Sequence, residues 1–389
     1  MKSRGILILS AAHVCDDLNQ GALPALLPFF IAERHFTIAA AGGLVLAANV
    51  TSSVLQPLLG LHADRRGAPW LVPAGLFLAG MGVALSGLAP TYPFVLLAAA
   101  VSGIGVAAFH PEAARQVASL SGQRRGTAMG IFAVGGNIGF AIGPALATAL
   151  QIAFGLRGTM GLVVPAVGMA VVLLATRQFV PRAFADLVDS GKAAERNRWG
   201  SFWRLAAVAV CRAFVFYGLN TFIPLYWIHV FGKSKAAGAA ALTLMLAAGV
   251  AATLAGGWLA DHVGRRRVVV WSQVLLFPFL LAFLGTGSAT VALALLVPIG
   301  VTLYAPFSVM TVMGQEYVPS RVATASGFII GVAVTLGGLV APVLGRIADL
   351  HGVHAALSTL IFVPLVGALI AATLPRDLAG VSSGPRADR

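Results

Sequence analysis

Apolar runs about as long as a bilayer is thick follow one another along the chain, separated by short polar clusters. A bilayer-spanning helix needs roughly 20 mostly apolar residues. Twelve stretches meet that description: 6–33, 40–61, 70–88, 93–118, 126–150, 159–177, 202–230, 237–258, 267–285, 289–316, 322–348 and 355–374. The long polar stretch, 179–200, holds Pro181, Asp186, Asp189, Lys192, Glu195, Arg196 and Arg198 and reads as a linker. Trp199 and Trp203 at its exit look like interfacial anchors. The pattern predicts an all-α membrane protein with twelve transmembrane helices in two pseudo-symmetric six-helix bundles, over 1–178 and 201–378. Residues 379–389, rich in Gly, Ser and Pro, are expected to form a disordered tail. Met1 to Ser10 has two positive charges and then apolar residues, but Asp16, Asp17, Asn19 and Gln20 follow with no clean cleavage site. It reads as the first span and not as a signal peptide.

Composition supports lipid as the solvent. The chain of 389 residues is 58% hydrophobic and 10% charged, against about 25% charged in a soluble domain. Its 45 glycines suit membrane helices that pack closely on small residues. A net charge of +13 could point to nucleic acid, but the charges sit in short clusters between apolar runs and form no basic face. No nucleic-acid partner is expected. Cys15 and Cys211 both lie in apolar segments, so neither a disulfide framework nor a thiolate metal site is suggested.

Charge placement sets the orientation. With both termini cytoplasmic, the inner loops and tails hold 19 of the 26 Lys and Arg, the outer side holds five, and Arg115 and Arg212 fall within spans. That asymmetry follows the positive-inside rule.

The halves repeat each other at an offset near 197. Gly60-Leu61-His62-Ala63-Asp64-Arg65-Arg66-Gly67 follows span two, and Gly257-Trp258-Leu259-Ala260-Asp261-His262-Val263-Gly264-Arg265-Arg266-Arg267 follows span eight. Span five has Gly139, Gly143 and Pro144; span eleven has Gly337, Ala341 and Pro342 in corresponding places. Many secondary transporters are built from duplicated halves, with the binding site between them near mid-membrane.

These residues carry a family resemblance. The loop after span eight resembles the signature loop of the major facilitator superfamily, and the loop after span two is a looser copy. Gly139, Gly143 and Pro144 resemble that superfamily's antiporter motif. More narrowly, four stretches are similar to the bacterial fosmidomycin-resistance exporters: His13-x3-Asp17-x2-Gln20; Phe109-His110-Pro111-Glu112 with Arg115; Gly135-Gly136-Asn137-Ile138-Gly139; and Gln315-Glu316. The resemblance implies the major facilitator fold and a proton-driven exporter of the bacterial inner membrane. One departure is visible. Ala99 stands where the superfamily often has a span-four arginine ahead of the glycine pair, here Gly103 and Gly105. Coupling would then pass to His110, Glu112 and Arg115.

The polar residues inside spans are the functional candidates, because an ionisable group at mid-bilayer costs about 2.5–3.5 kcal/mol even on the lenient scale. His13, Asp17, Gln20 and Pro24 form one stripe on span one, with Asp16 beside it. The stripe reads as a proton or substrate site, or as polar glue between helices. Glu112 and Arg115, three apart, are helix neighbours; Glu112 reads as a proton carrier, or as half of a static ion pair. Arg212 lies half a span deep, with Tyr217 and Asn220 beyond it, and needs an acid, a carbonyl or an anionic ligand. Substrate anchoring and pairing with a carboxylate are both open. Asn49, Asn137, Tyr304, Gln315 and Glu316 are further cavity candidates. Asp64, Arg65, Arg66, Asp261, Gly264, Arg265 and Arg266 are expected to brace helix ends and gate the cavity, and Gly139, Gly143 and Pro144 to govern packing and bending of span five.

The reading is a proton-coupled antiporter exporting a small, anionic or drug-like solute, with no cofactor other than the coupling proton, and monomeric. A proton-coupled importer would use the same acids. An intramembrane enzyme is disfavoured: the H-E-x-x-H zinc pattern is absent, a twofold repeat has no use in it, and no metal is expected.

Overall fold

A computed structural model describes residues 3–66, 68–121, 125–176, 197–319, 325, 328–329 and 333–375. Most of the expected linker, the whole tail, and the side chains of Asp64, Arg65 and Arg66 lie outside the described residues. All regular structure among the described residues is helical. In lipid this is the outcome backbone chemistry demands, since a helix satisfies its own N–H and C=O groups. In order, the helices are α1 (Ser3–Arg34), α2 (Ile38–Arg66), α3 (Leu71–Ser86), α4 (Tyr92–Leu120), α5 (Arg125–Phe154), α6 (Val163–Ala175), α7 (Trp199–His229), α8 (Lys235–Val263), α9 (Arg265–Gly285), α10 (Ala289–Tyr317), α11 (Ala333–His351), α12 (Val353–Ser358) and α13 (Val363–Ala372).

Eight helical segments among the described residues are long and apolar enough to cross a membrane; one of them, Ala128–Ala175, is 48 residues long and contains two of the expected spans, and Leu71–Ser86 is a shorter apolar helix. α1 and α11 are outside the eight. α1 carries the polar stripe, so it is amphiphilic along its middle. The last expected span is two pieces, α12 and α13, joined by tight turns whose N–H groups reach back three residues, as from Leu360 to Leu357 (3.0 Å). A matching 3₁₀ segment, Gly155–Leu162, precedes α6. Gly155 (φ +59°) and Gly352 (φ +86°) open the two irregular stretches, and 352 − 155 = 197, the offset of the sequence repeat. Both take the left-handed region that glycine tolerates best.

α1 to α6 pack on one another, and α7 to α13 do likewise. Across the two sets, α2 lies on α11 and α5 lies on α8. Exchanging the halves converts one contact into the other, which is the packing expected of a twofold repeat. Each set holds two apolar cores stacked along its length: one around Phe30, Leu44 and Val83 and one around Ile6, Leu76 and Phe109 in the first set; one around Phe222, Tyr226 and Phe283 and one around Phe202, Val269 and Met313 in the second.

At one end the sets are latched. The Asp349 carboxylate of α11 accepts from the Ile38 and Ala39 amides at the start of α2 (2.8 and 3.0 Å). A helix N-terminus attracts anions, so this cap ties the halves by charge. Nearby, the Lys235 ammonium sits over the Phe29 ring (4.1 Å). Asp349→Asn keeps the size and loses the charge. It is expected to weaken the latch by about 1 kcal/mol, a several-fold shift in population. Spin labels at the exposed Ala32 and Leu350 would report a longer mean separation.

Candidate functional site

The middle of α1 brings a polar cluster together with α4 and α5. His13 Nδ1 lies 2.8 Å from the Phe132 carbonyl of α5. His110 Nδ1 lies 3.0 Å from the Val106 carbonyl, one turn back on α4. A carbonyl only accepts, so each ring donates its Nδ1–H there, and the tautomer is set by the backbone. Both Nε2 atoms are then turned inward. They stand 3.2 Å apart, and both face Asp17: His13 Nε2 to Oδ2 is 3.2 Å and His110 Nε2 to Oδ1 is 3.3 Å. With both rings neutral, two lone pairs and a carboxylate would converge with no hydrogen between them. The arrangement calls for at least one additional proton in the middle.

The surroundings sharpen this. Asp16 is fully buried. Its Oδ2 is 3.4 Å from His110 Nδ1, but that N–H is directed at Val106, so Asp16 receives attraction and no hydrogen bond. The His13 ring stacks on Phe132 (4.1 Å between centroids) and meets His110 edge-on (4.9 Å). Gly136 of α5 closes the cluster from below: a Cβ there would overlap His13 Nε2 and Asp17 Oδ2. Gly136→Ala must therefore push these groups apart. A destabilisation of about 1–3 kcal/mol is expected, seen as a lower thermal midpoint, and larger than that of a comparable change at Gly130, where a Cβ meets nothing.

Gln20 connects the cluster to open space. Its Nε2 donates to Asp17 Oδ1 (2.9 Å), and its side chain lines a small cavity between the two sets of helices. Asn19, Asn49, Tyr217 and Asn220 line the same cavity from α1, α2 and α7. Asn19 Oδ1, Asn49 Nδ2 and Asn220 Oδ1 are buried with no partner in the protein. Such groups are costly unless something supplies the missing bonds, and a polar ligand or water in the cavity would do so.

Arg212 is buried, 7% exposed. Its Nη1 donates to the Leu303 carbonyl (3.0 Å), and its guanidinium lies 5.0 Å from the Phe307 ring and 5.9 Å from the Phe216 ring. Nε has no partner. Among the described residues no carboxylate forms an ion pair with it. The bond Arg212 makes is to a carbonyl and not to an acid, and Arg212 is not among the residues that line the cavity. Tyr304, half-buried beside it, packs edge-on against Phe216 (5.5 Å).

Other predicted residues are placed elsewhere. Glu112 is fully buried and clasped by Arg115 at both oxygens (2.7 and 2.6 Å), with Gln116 donating at 2.9 Å. That is the ion-pair alternative, and Glu112 makes no bond to the His13–Asp17–His110 cluster. Glu316 is bonded to Arg265 at the start of α9 and does not line the cavity; Gln315 and Asn137 are half-buried and also outside its lining. Gly264 (φ +95°) makes the sharp turn between α8 and α9, and Arg266 donates to the Ala372 carbonyl. The loop thus joins the ends of α9, α10 and α13, with Asp261 exposed on α8. Gly139 and Gly143 let α5 lie directly on α1: side chains there would overlap the Val14 carbonyl and the backbone of Leu18 to Ala22. Pro144 lies in the following turn, inside α5.

Sequence reasoning missed Asn19, Gly136 as the closing wall, and the carbonyls of Phe132 and Val106. Only Asn19 carried a side-chain signal, as an amide in an apolar run. The carbonyls have no sequence signature, because they act through helix–helix register.

Comparison with known proteins adds the following. Residues 9–342 match the family model described as Major Facilitator Superfamily. The chain is 34% identical to the Fosmidomycin resistance protein of Escherichia coli (strain K12) over 379 residues, covering 94% of this chain and 92% of that one. It is 28% identical to an uncharacterised MFS-type transporter of Bacillus subtilis (strain 168), covering 96% and 93%. Its fold is similar to that of a bacterial homologue of the human lysosomal transporter Spinster, solved in an inward-facing and occupied conformation, with a TM-score of 0.81, 17% identity, and coverage of 95% and 96%.

Proposed function

Since this chain belongs to the Major Facilitator Superfamily, we propose that it is a proton-coupled antiporter exporting a small anionic solute by alternating access across the bacterial inner membrane, with both termini in the cytoplasm. The observation that carries the reading is the convergence of His13 Nε2, His110 Nε2 and the Asp17 carboxylate on one point, with both Nδ1–H groups already committed to backbone carbonyls. A proton bound there is shared by three acceptors. It leaves when the acceptors separate or become hydrated.

Gln20 links that event to the solute, since the same amide that bonds Asp17 also lines the cavity. A solute that bonds the Gln20 carbonyl holds its amide against Asp17; a donated hydrogen bond favours the ionised carboxylate, so proton release follows. Protonation of the cluster weakens that bond and, with it, the solute's hold. A coupling free energy of this kind is reciprocal, as exchange in opposite directions requires. Arg212 supplies the charge for an anionic group, and the unpartnered amides of Asn49 and Asn220 supply polar contacts. The surplus of Lys and Arg on one set of loops supports the orientation, and resemblance to a fosmidomycin-resistance protein supports export of a phosphonate-like anion.

The test is transport in proteoliposomes under an imposed pH gradient, with phosphonates, acidic metabolites and lipophilic drugs as solutes. The reading expects phosphonates or other small anions to move against the proton flow. Movement with the proton flow would make the chain an importer, and movement of no anion would remove Arg212 from the account.

A further inference from the structure

The three converging side chains have a second chemistry. Around a tetrahedral ion with bonds of about 2.0–2.1 Å, neighbouring ligand atoms stand ~3.3–3.4 Å apart. The edges here are 3.2 Å between the two Nε2 atoms, 3.2 Å from His13 Nε2 to Asp17 Oδ2 and 3.3 Å from His110 Nε2 to Asp17 Oδ1. The ligand atoms of these three residues lie mutually within bonding range of a single ion.

Two further observations are independent of spacing. Each imidazole has tied its Nδ1–H to a backbone carbonyl, which is how metal-binding histidines are oriented with the other nitrogen free. The Asp16 carboxylate beside them is fully buried and lacks any hydrogen-bond donor. With Asp17 it leaves two carboxylates at the site, and a dication would offset both.

We propose that His13, His110 and Asp17 bind one divalent transition-metal ion, of which Zn²⁺ best fits two imidazoles and a carboxylate. The Asp17 oxygens face different histidines, so the ion takes the carboxylate through both or selects one. The protein supplies three ligands and a water would take the fourth position; the His110 side chain is a quarter exposed (25%). The ion and the proton use the same lone pairs, so Zn²⁺ would block proton coupling. The site rests on geometry and stands whether or not the chain is proton-driven.

The experiment uses the full chain purified without a polyhistidine tag. It is titrated with Zn²⁺ by calorimetry and with Co²⁺ by visible absorption. One site per chain and a tetrahedral Co²⁺ spectrum are expected. Affinity should fall at least about tenfold in His110→Gln and in Asp17→Asn, and stay unchanged in His262→Gln at an exposed helix end. A Co²⁺ spectrum of the octahedral aqua ion, or equal affinity in the unmodified protein and His110→Gln, would overturn the site. If a variant fails to fold, the Co²⁺ spectrum of the unmodified protein decides alone. Zn²⁺ binding without proton-driven flux defeats only the transport reading; proton-driven flux without Zn²⁺ binding defeats only this one.

Discussion

Asp17→Asn is expected to abolish gradient-driven transport while sparing solute binding. The carboxylate is the one anion that both inward-turned imidazoles face. Removing one partner of a buried charged pair costs about 3–5 kcal/mol, a factor of a hundred or more in any equilibrium that depends on it. An asparagine keeps the shape and can still accept from Gln20, so the cavity wall survives. Uptake driven by a pH gradient should therefore fall about a hundredfold, while exchange of labelled for unlabelled solute continues. Loss of both would mean that Asp17 holds the fold together. Loss of neither would remove it from coupling. Glu112→Gln is the informative partner. The structure makes Glu112 half of an ion pair with Arg115, so this substitution should lower stability before it changes coupling.

Replacing Arg212 by Met should weaken binding of anionic solutes by about 10–100-fold, since a hydrogen bond to a charged group contributes about 1.5–3 kcal/mol. Neutral lipophilic solutes should be little affected. The same substitution should raise the thermal midpoint, because it removes a buried charge that has one carbonyl, two aromatic neighbours and no carboxylate among the described residues. Stability gained where binding is lost is the signature of a functional group held at structural cost. Arg212→Lys retains the charge without the planar fork and should recover part of the affinity. If Arg212→Met destabilises the chain and leaves anion binding intact, the guanidinium is structural.

Much of the fold was legible because lipid permits so few solutions. Apolar run length predicted most helices to within a few residues, and the repeat near 197 reappears in the paired positive-φ glycines Gly155 and Gly352. The broken last span was not read: 355–374 is mostly apolar, and its marks of the tight turns are slight, Ser358 and Thr359 at the end of α12 and Pro364 at the start of α13. At the site, helical spacing placed His13, Asp17 and Gln20 on one face. It could not say that His110 of α4 meets them while Glu112, two residues on, turns away. Two residues along a helix are about 200° around its axis, so proximity in sequence there means separation in space. Glu316 was misplaced for a similar reason, since its partner Arg265 comes from another helix end. Arg212 was seen, but the want of an acid around it among the described residues needed the packed structure.

The central claim is that the His13–Asp17–His110 cluster carries the proton that is exchanged for solute. The most direct measurement follows protons and solute together: vesicles holding the protein and a pH-sensitive dye receive a transported anion on one side, with no imposed gradient. The account predicts proton movement opposite to the anion in the unmodified protein and none above background in Asp17→Asn. Equal proton movement in both proteins, or none in either while the anion still crosses, would contradict it.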